Sequence, residues 1–256
     1  MAKQELPSIQ TFRRSVEKIP DTLTQTAFKT DYLLCGRIGE IINRKCPSDK
    51  TANPTGAQLT VTKETYTPDI NNPFEFQTVT FALMTNLRRS PTIEEILNVK
   101  EEFAVFTVTT EKRHGWKREV AIPLNPEFEP WAQQCYNHVL KNGANSFPFT
   151  RQQMYVAARE AFAHLTYTIK PYRRGKKQNG EYLHDSEGNL YTYIEKEHLK
   201  NFANHAIRHL RDTELKNYYG LSWEERHNYG GWTTGVEERY GENIWRSYAI
   251  KLCKKR

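Results

Sequence analysis

The carboxyl-terminal part of the chain contains residues that could act on a phosphate ester. His205 and Arg208 are three residues apart, and Trp232 and Tyr240 follow them. Two residues with this spacing on a helix share one face, so the imidazole and the guanidinium can approach the same anionic group. A tyrosine hydroxyl can then act as a nucleophile. The H-x-x-R pattern is weak by itself and gains weight only from the residues around it.

Two residues earlier in the chain would complete such a site. Arg37 lies in the segment of residues 34–40, LCGRIGE, and Lys112 lies in a polar connection between two predicted strands. In-line attack on phosphorus spreads negative charge over the equatorial oxygens, and the planar guanidinium groups of Arg37 and Arg208 can bind that charge. Lys112, at the tip of the predicted hairpin, is a candidate general acid for the leaving 5′ oxygen.

Each candidate also has a structural interpretation. Arg37 could pair with Glu40 on its own helix, and Trp232 could be a core aromatic residue. His209 competes with His205 as the useful imidazole. The remaining alternatives are three basic residues beside Lys112 that could bind backbone phosphate and two rival nucleophiles, namely Arg113, Lys117, Arg118, Tyr248 and Tyr229.

The positive charge of the chain is concentrated in the part of the sequence that contains His205 and Arg208. The formal net charge is +7 and the pI is about 9.1. Residues 1–150 contain 18 lysines and arginines against 17 acidic residues, whereas residues 151–256 contain 19 against 13. Double-stranded DNA is the expected partner, because neutralising its phosphates releases counterions; a solvated basic surface is the alternative. The candidate DNA-binding residues are Arg113, Lys117, Arg173, Arg174, Lys176 and Lys177.

Composition also restricts the compartment and the cofactors. No apolar run approaches the roughly 18 residues of a membrane span, and the first ten residues lack the apolar segment of a signal peptide. We therefore expect a cytoplasmic protein that does not associate with membranes. The four cysteines have no spacing typical of a zinc site, so we expect reduced, mostly buried thiols and no metal ion.

Residue patterning predicts an α+β fold that is mainly helical with a small antiparallel sheet. After a polar lead of residues 1–20, helical spacing extends over 21–45 with a break at Gly36. Near-alternation predicts strands at 58–62, 75–81, 103–109 and 118–123. Helices are predicted at 130–141, 150–165 and 201–219, with two more that are capped by Ser222 and Thr234. The segment 166–200 interrupts the helical pattern and indicates an insertion with an exposed hairpin.

The order Arg37, Lys112, His205, Arg208, Trp232, Tyr240 resembles the catalytic domain of tyrosine recombinases and integrases. In that family, an arginine opens a helix and a lysine lies on a β-hairpin. The H-x-x-R motif, a histidine or tryptophan after glycine and the nucleophilic tyrosine then follow. The resemblance covers residues 21–256.

The resemblance implies a site-specific recombinase that forms a 3′-phosphotyrosyl linkage through Tyr240 without a metal or nucleotide cofactor. It implies acid/base support from His205 and a hydrogen bond from Trp232. In the family, segments after the tyrosine often dock on a neighbouring protomer, so we expect homo-oligomers on DNA. The alternatives are a type IB topoisomerase, a telomere resolvase, or a DNA-binding relative that does not cut.

Overall fold

The computed structural model describes residues 4–42, 59–69, 71–109, 117–179, 181–232 and 245–255. The fold is mixed α/β with small antiparallel sheets. Within the described residues, no helix is both long and apolar enough to cross a membrane. The cysteines in these ranges, Cys35, Cys135 and Cys253, are free thiols, and their burial agrees with the prediction.

Helices and short strands follow one another along the chain. The described helices are α1 (Ile9–Glu17), α2 (Thr22–Leu33), α3 (Ile38–Ile41), α4 (Pro73–Leu87), α5 (Ile93–Leu97), α6 (Ala132–Asn142), α7 (Arg151–Ala161), α8 (Asn204–Asn217), α9 (Trp223–Gly230) and α10 (Arg246–Ala249). The described strands are β1 (Gln4–Glu5), β2 (Leu59–Tyr66), β3 (Glu101–Thr109), β4 (Lys117–Pro123), β5 (Thr166–Ile169), β6 (Tyr172–Gly175), β7 (Lys177–Gln178), β8 (Glu181–Tyr182), β9 (Thr192–Glu195) and β10 (His198–Asn201). The sheets are β2-β3-β4, β1-β5-β10, β6-β9 and β7-β8, and all their pairings are antiparallel.

The sheet β2-β3-β4 supplies one layer of the main core. Its middle strand, β3, is buried from Phe103 to Phe106 because the helical layer packs on it. In β4 the burial alternates, so that Lys117 and Glu119 face solvent whereas Arg118 and Val120 face inward. This alternation brings one charged side chain, Arg118, into the interior.

The predicted break at Gly36 is confirmed. Helix α2 ends at Leu33, Cys35 adopts a left-handed conformation with φ of 50°, and α3 begins immediately after Arg37. A Cβ atom at position 36 would lie 3.1 Å from Ile41 and 3.2 Å from a carboxylate oxygen of Asp31. Glycine therefore allows the chain to turn sharply and to place Arg37 at the amino-terminal end of α3.

Local signals correctly predict the start of α7, although the helix ends at Ala161 rather than at residue 165. The side chain of Thr150 accepts the backbone N–H of Gln153, whose own side chain accepts the N–H of Thr150, which is the predicted capping box. Met154, Ala158 and Phe162 are fully buried on one face. The predicted capping box of Ser222 and Glu225 at the start of α9 is also confirmed.

The strand predicted at 75–81 is wrong, because these residues belong to α4. Pro73 occupies the first turn, where its missing N–H costs no hydrogen bond, and the Asn72 side chain accepts the N–H groups of Phe74 and Glu75. Val79 and Ala82, three residues apart, are buried on one side of the helix. The start signal and this tertiary packing outweigh the β propensity of the valine, threonine and phenylalanine residues.

Replacing Asn72 by alanine is expected to lower the free energy of unfolding by about 1 kcal/mol, because two amide groups at the start of α4 lose their acceptor. Urea denaturation measures the change as a shift of the unfolding midpoint, with the m value (the dependence of the unfolding free energy on urea) unchanged. Asn71→Ala is the matched control, since its side chain does not cap the helix. An equal loss in both variants would contradict this role for Asn72.

The carboxyl-terminal region differs from its prediction in two places. Helix α8 begins at Asn204 rather than near residue 201, because residues 198–201 pair with β5 as strand β10. Within the described residues, the last predicted helix, which Thr234 would cap, is represented by α10 and a 3₁₀ turn over Ile250–Leu252. The predicted cap at Thr234 lies outside the described residues.

Residues 170–179 and 181–197 form an extension that we call the β-arm. It contains the β6-β9 pair and the short β7-β8 hairpin, and it continues from strands β5 and β10. The predicted exposed turn is present: His184 and Leu190 form an antiparallel bridge around it, and Gly188 has a φ of 82°.

Candidate functional site

Three arginines from distant parts of the chain converge on the carboxylate of Glu40. Arg37 Nη1 donates to Glu40 Oε1 at 3.0 Å, and Arg118 Nη2 donates to Oε2 at 3.2 Å. Arg208 Nη1 lies 3.9 Å from Oε2. We call these four residues the Glu40 cluster. The structure thus brings the two predicted phosphate-binding arginines, Arg37 and Arg208, to a common partner.

Each arginine of the cluster comes from a different element. Arg37 stands at the amino-terminal end of α3, Arg118 on the inward face of β4, and Arg208 in the middle of α8. The side chain of Arg37 is 23% exposed, whereas those of Arg118 and Arg208 are 4% and 2% exposed. Arg37 is therefore the solvent-facing member of a cluster that is otherwise buried.

The cluster carries more positive than negative charge. Burial raises the pKa of Glu40, but the charge of Arg118 and the amide of Arg37 outweigh it, so this pKa lies below its ordinary value and Glu40 is ionised. Asp31 lies beside the cluster with both carboxyl oxygens buried and without a hydrogen-bond partner. Burial, and then the charge of Glu40, raises the pKa of Asp31 well above its ordinary value, which favours its neutral form. Three guanidinium groups therefore face one carboxylate, an arrangement that suits an added anion.

Trp232 covers Arg208. The Arg208 guanidinium carbon lies 4.6 Å from the centre of the indole ring, and Arg208 Nη2 donates to the carbonyl oxygen of Gly230 at 2.6 Å. The turn that places the ring includes Gly231, with a φ of 65°. In this turn the backbone N–H of Trp232 donates to the carbonyl oxygen of His227 at 3.0 Å. A Cβ atom at Gly230 would lie only 2.5 Å from the indole, so the ring requires glycine there. Trp232 therefore contacts the Glu40 cluster through the face of its indole ring, which lies over Arg208.

Arg208 retains hydrogen-bonding capacity inside the cluster. Its Nη1 atom is buried and has no hydrogen-bond partner. A buried donor without a partner is costly, and an oxygen of an incoming anion would satisfy it. Burial lowers the pKa of Arg208, but a guanidinium remains charged at neutral pH.

His205 and His209 lie against each other on α8. Their Nε2 atoms are 3.0 Å apart, and their rings are nearly perpendicular with centroids 4.5 Å apart. His205 is exposed one turn before the buried Arg208, whereas His209 is partly buried. Burial, and then the charge of Arg208, lowers the pKa of His209. The two candidate imidazoles are therefore in contact with each other, and His209 is the one whose pKa is lowered by burial and by the charge of Arg208.

The two rival tyrosine nucleophiles are buried. The hydroxyl of Tyr229 donates to the carbonyl of Leu33 and accepts a hydrogen bond from Arg211 at 2.9 Å. The hydroxyl of Tyr248 donates to the carbonyl of Glu119 at 3.2 Å, and this residue is 1% exposed. Burial raises the pKa of both phenols. Neither tyrosine is positioned to reach an external phosphate.

Three of the predicted site residues, Lys112, Arg113 and Tyr240, lie outside the described residues. Strands β3 and β4 pair up to Thr109 and Lys117, which agrees with a hairpin whose connection contains Lys112 and Arg113.

Arg118, which was an alternative phosphate-binding residue of the hairpin, is instead a structural member of the cluster. Its Nη1 atom donates to the carbonyl oxygens of Leu34 and Tyr229, and its side chain is buried. Through these hydrogen bonds, Arg118 links β4 to the end of α2 and to α9. The signal that could have revealed this was the alternation of β4, in which position 118 shares the inward face with Val120.

The predicted DNA-binding residues lie on two elements. Lys117 is exposed at the start of β4, next to Arg118 of the cluster. Arg173, Lys176 and Lys177 are exposed on the β-arm, and Arg174 belongs to its strand β6.

The geometry of the Glu40 cluster can bind one anionic group through the exposed edge at Arg37 and the unsatisfied nitrogen of Arg208. Within the described ranges, no group of three or more histidine, cysteine, aspartate or glutamate residues is arranged to hold a metal ion. Comparisons of the chain with protein-family models, with curated proteins and with solved structures found no match.

Proposed function

We propose that this protein is a site-specific DNA recombinase or integrase that cuts and rejoins DNA strands through a covalent 3′-phosphotyrosyl intermediate. The observation that carries the proposal is the convergence of Arg37 and Arg208 on one carboxylate, although they come from opposite ends of the chain. The order of the candidate residues in the sequence supports the same chemistry.

The cluster suits a phosphodiester better than a carboxylate ligand. The transition state of phosphoryl transfer spreads charge over three oxygens, and fixed guanidinium groups stabilise that charge without reorganisation. Glu40 fixes the guanidinium groups in position before DNA arrives. Because Trp232 covers Arg208, the phosphate would enter beside Arg37 and reach Arg208 as the indole ring shifts.

In the proposed reaction, the Tyr240 oxygen attacks phosphorus and the bond from phosphorus to the 5′ oxygen breaks. Lys112 gives a proton to the leaving oxygen, and His205 assists proton transfer at the tyrosine or the phosphate. The reverse reaction, with a new 5′ hydroxyl as nucleophile, rejoins the strand. The phosphotyrosyl bond conserves the energy of the phosphodiester, so the reaction needs no metal ion or nucleotide cofactor.

The proposal includes a tyrosine-recombinase-like catalytic domain over residues 21–256 with an insertion at 166–200. The short helix that begins after Arg37, the hairpin strands β3 and β4, and the placement of Arg208 on α8 support it. It also implies that the protein acts on duplex DNA in the cytoplasm as a homo-oligomer that assembles on the DNA. Lys117, Arg113 and the basic residues of the β-arm are the proposed contacts with DNA phosphates.

A library of random duplexes, each with a nick placed so that a cleaved fragment diffuses away, tests the proposal. We expect a protein–DNA adduct that survives denaturant, and sequencing of the trapped DNA identifies the target. An intact duplex library is the matched control and should give less adduct, because religation competes there. Absence of adduct from the nicked library would refute strand cleavage.

Plasmid assays then distinguish related activities. Exchange or integration of strands supports a recombinase, whereas relaxation of supercoils without exchange would replace it with a type IB topoisomerase. Binding that weakens steeply with salt, without any adduct, would instead indicate a DNA-binding protein that does not cut.

A further inference from the structure

The β-arm exposes both of its faces. Tyr182, Leu190, Tyr191, Ile194 and Leu199, in or directly beside it, are between 42% and 69% exposed. A two-stranded ribbon without a packed face is marginally stable by itself. This surface therefore suits a partner that the arm can lie against.

The charges of the arm are divided between its strands. Residues 171–179 contain Arg173, Arg174, Lys176 and Lys177 but no acidic residue. Within the described residues, Arg173 and Lys176 form no ion pair with an acidic side chain. The segment 173–177, which runs from β6 into β7, therefore presents exposed cations at Arg173, Lys176 and Lys177, and we call it the positive edge.

Acidic side chains on the returning strand are engaged within the arm. Asp185 accepts hydrogen bonds from the backbone N–H groups of Glu187 at 2.9 Å and Asn189 at 2.8 Å, so it stabilises the turn. Glu195 accepts the hydroxyl of Tyr193 at 3.0 Å. These two carboxylates therefore also stabilise the turn and the returning strand of the arm.

Tyr182 holds one cation of the edge in place. The Lys177 ammonium lies 4.2 Å from the centre of the Tyr182 ring, and the ring packs on Gly175. A Cβ atom at position 175 would lie 2.9 Å from the ring, so glycine allows this approach. Lys177 is thereby partly ordered in advance, and less of its side-chain freedom is lost when it binds an anion.

We propose that the β-arm is a second DNA-binding element, which lies in the major groove of duplex DNA away from the cleavage site. Arg173, Lys176 and Lys177 bind the backbone phosphates. A two-stranded ribbon fits a major groove about 12 Å wide, and contacts to phosphates position a protein without selecting sequence. The inference depends on the proposed function only for the identity of the partner.

The variant Arg173→Gln/Lys176→Gln/Lys177→Gln tests the proposal by fluorescence anisotropy on a labelled duplex over a range of salt concentrations. Each phosphate contact contributes about 0.9 to the slope of log affinity against log salt, so we expect the slope to become less negative by about 2 to 3. At low salt, affinity should fall at least tenfold. An unchanged slope would overturn the inference.

Two control variants separate the arm from overall charge. Lys18→Gln/Lys141→Gln/Lys216→Gln removes the same charge from exposed positions elsewhere and should retain nearly the full slope. Arg173→Lys/Lys176→Arg/Lys177→Arg preserves the charge of the arm and should restore binding. An equal loss in both glutamine variants would overturn the inference, because net charge alone would then account for it.

The covalent-adduct assay keeps this inference distinct from the proposed function. A slope that depends on the arm, in a protein that forms no adduct, would support the arm and refute strand cleavage. Adduct formation with an arm-independent slope would refute only the arm. Preference for an RNA duplex over the matched DNA duplex would also refute it, because an A-form major groove is too narrow for the ribbon.

Discussion

Replacing Tyr240 by phenylalanine is expected to eliminate the covalent adduct on nicked duplex DNA. The change removes only the oxygen that would attack phosphorus, so the loss should be at least about 10³-fold, as when the nucleophile of a covalent mechanism is removed. The measurement is the fraction of labelled DNA that remains bound to protein after denaturation. Binding of the duplex before cleavage should change less than threefold.

A second tyrosine variant controls for the loss of a hydroxyl. Tyr155 is 46% exposed on α7 and has no role in the proposed reaction, so Tyr155→Phe should form adduct at the normal rate. The burial of Tyr229 and Tyr248 makes the result informative, because their hydroxyls are bonded to backbone carbonyls. An adduct of normal yield in Tyr240→Phe would remove Tyr240 as the nucleophile.

The comparison of α7 with α4 indicates which elements can be predicted from the sequence. In α7 the capping residues and the apolar spacing agree, so the local pattern is sufficient to place the start of the helix, although not its end at Ala161. In α4 the residues 75–81 favour a strand, whereas Asn72 and Pro73 favour the start of a helix. Packing of α4 against the 3₁₀ turn at Ile250–Leu252 supports the helix, and that contact is invisible to a local pattern.

The grouping of the candidate residues was also predictable in part. Residue types and their order identified Arg37, Arg208 and Trp232, which the structure joins through Glu40 and through the indole ring. The contribution of Arg118 and the raised pKa of Asp31 could not be inferred from order, because both depend on burial beside residues distant in sequence. Only the fold determines which charges share a buried space.

Replacing Glu40 by glutamine is expected to lower the free energy of unfolding by about 3–5 kcal/mol, because the change leaves buried arginines without their counterion. Chemical denaturation at neutral pH measures the loss. Glu102→Gln is the control: Glu102 pairs with Lys63 at 2.7 Å, but both side chains are about half exposed, so solvent screens the pair and little should change. Similar losses in the two variants would contradict a central role for Glu40.

The acid dependence of stability gives this prediction a second measurement. Since the folded pKa of Glu40 lies below 4.5, its stabilisation is complete above about pH 4.5 and is lost as the pH falls through the lowered pKa. Glu40→Gln should lack that part of the acid transition.

Asp31 can offset the loss of Glu40, because without Glu40 the raised pKa of Asp31 should fall and its carboxylate can then pair with Arg118 and Arg208. The double variant Glu40→Gln/Asp31→Asn should therefore lose more free energy of unfolding than the sum of the losses in the two single variants. A loss equal to that sum would show that Asp31 does not compensate for Glu40.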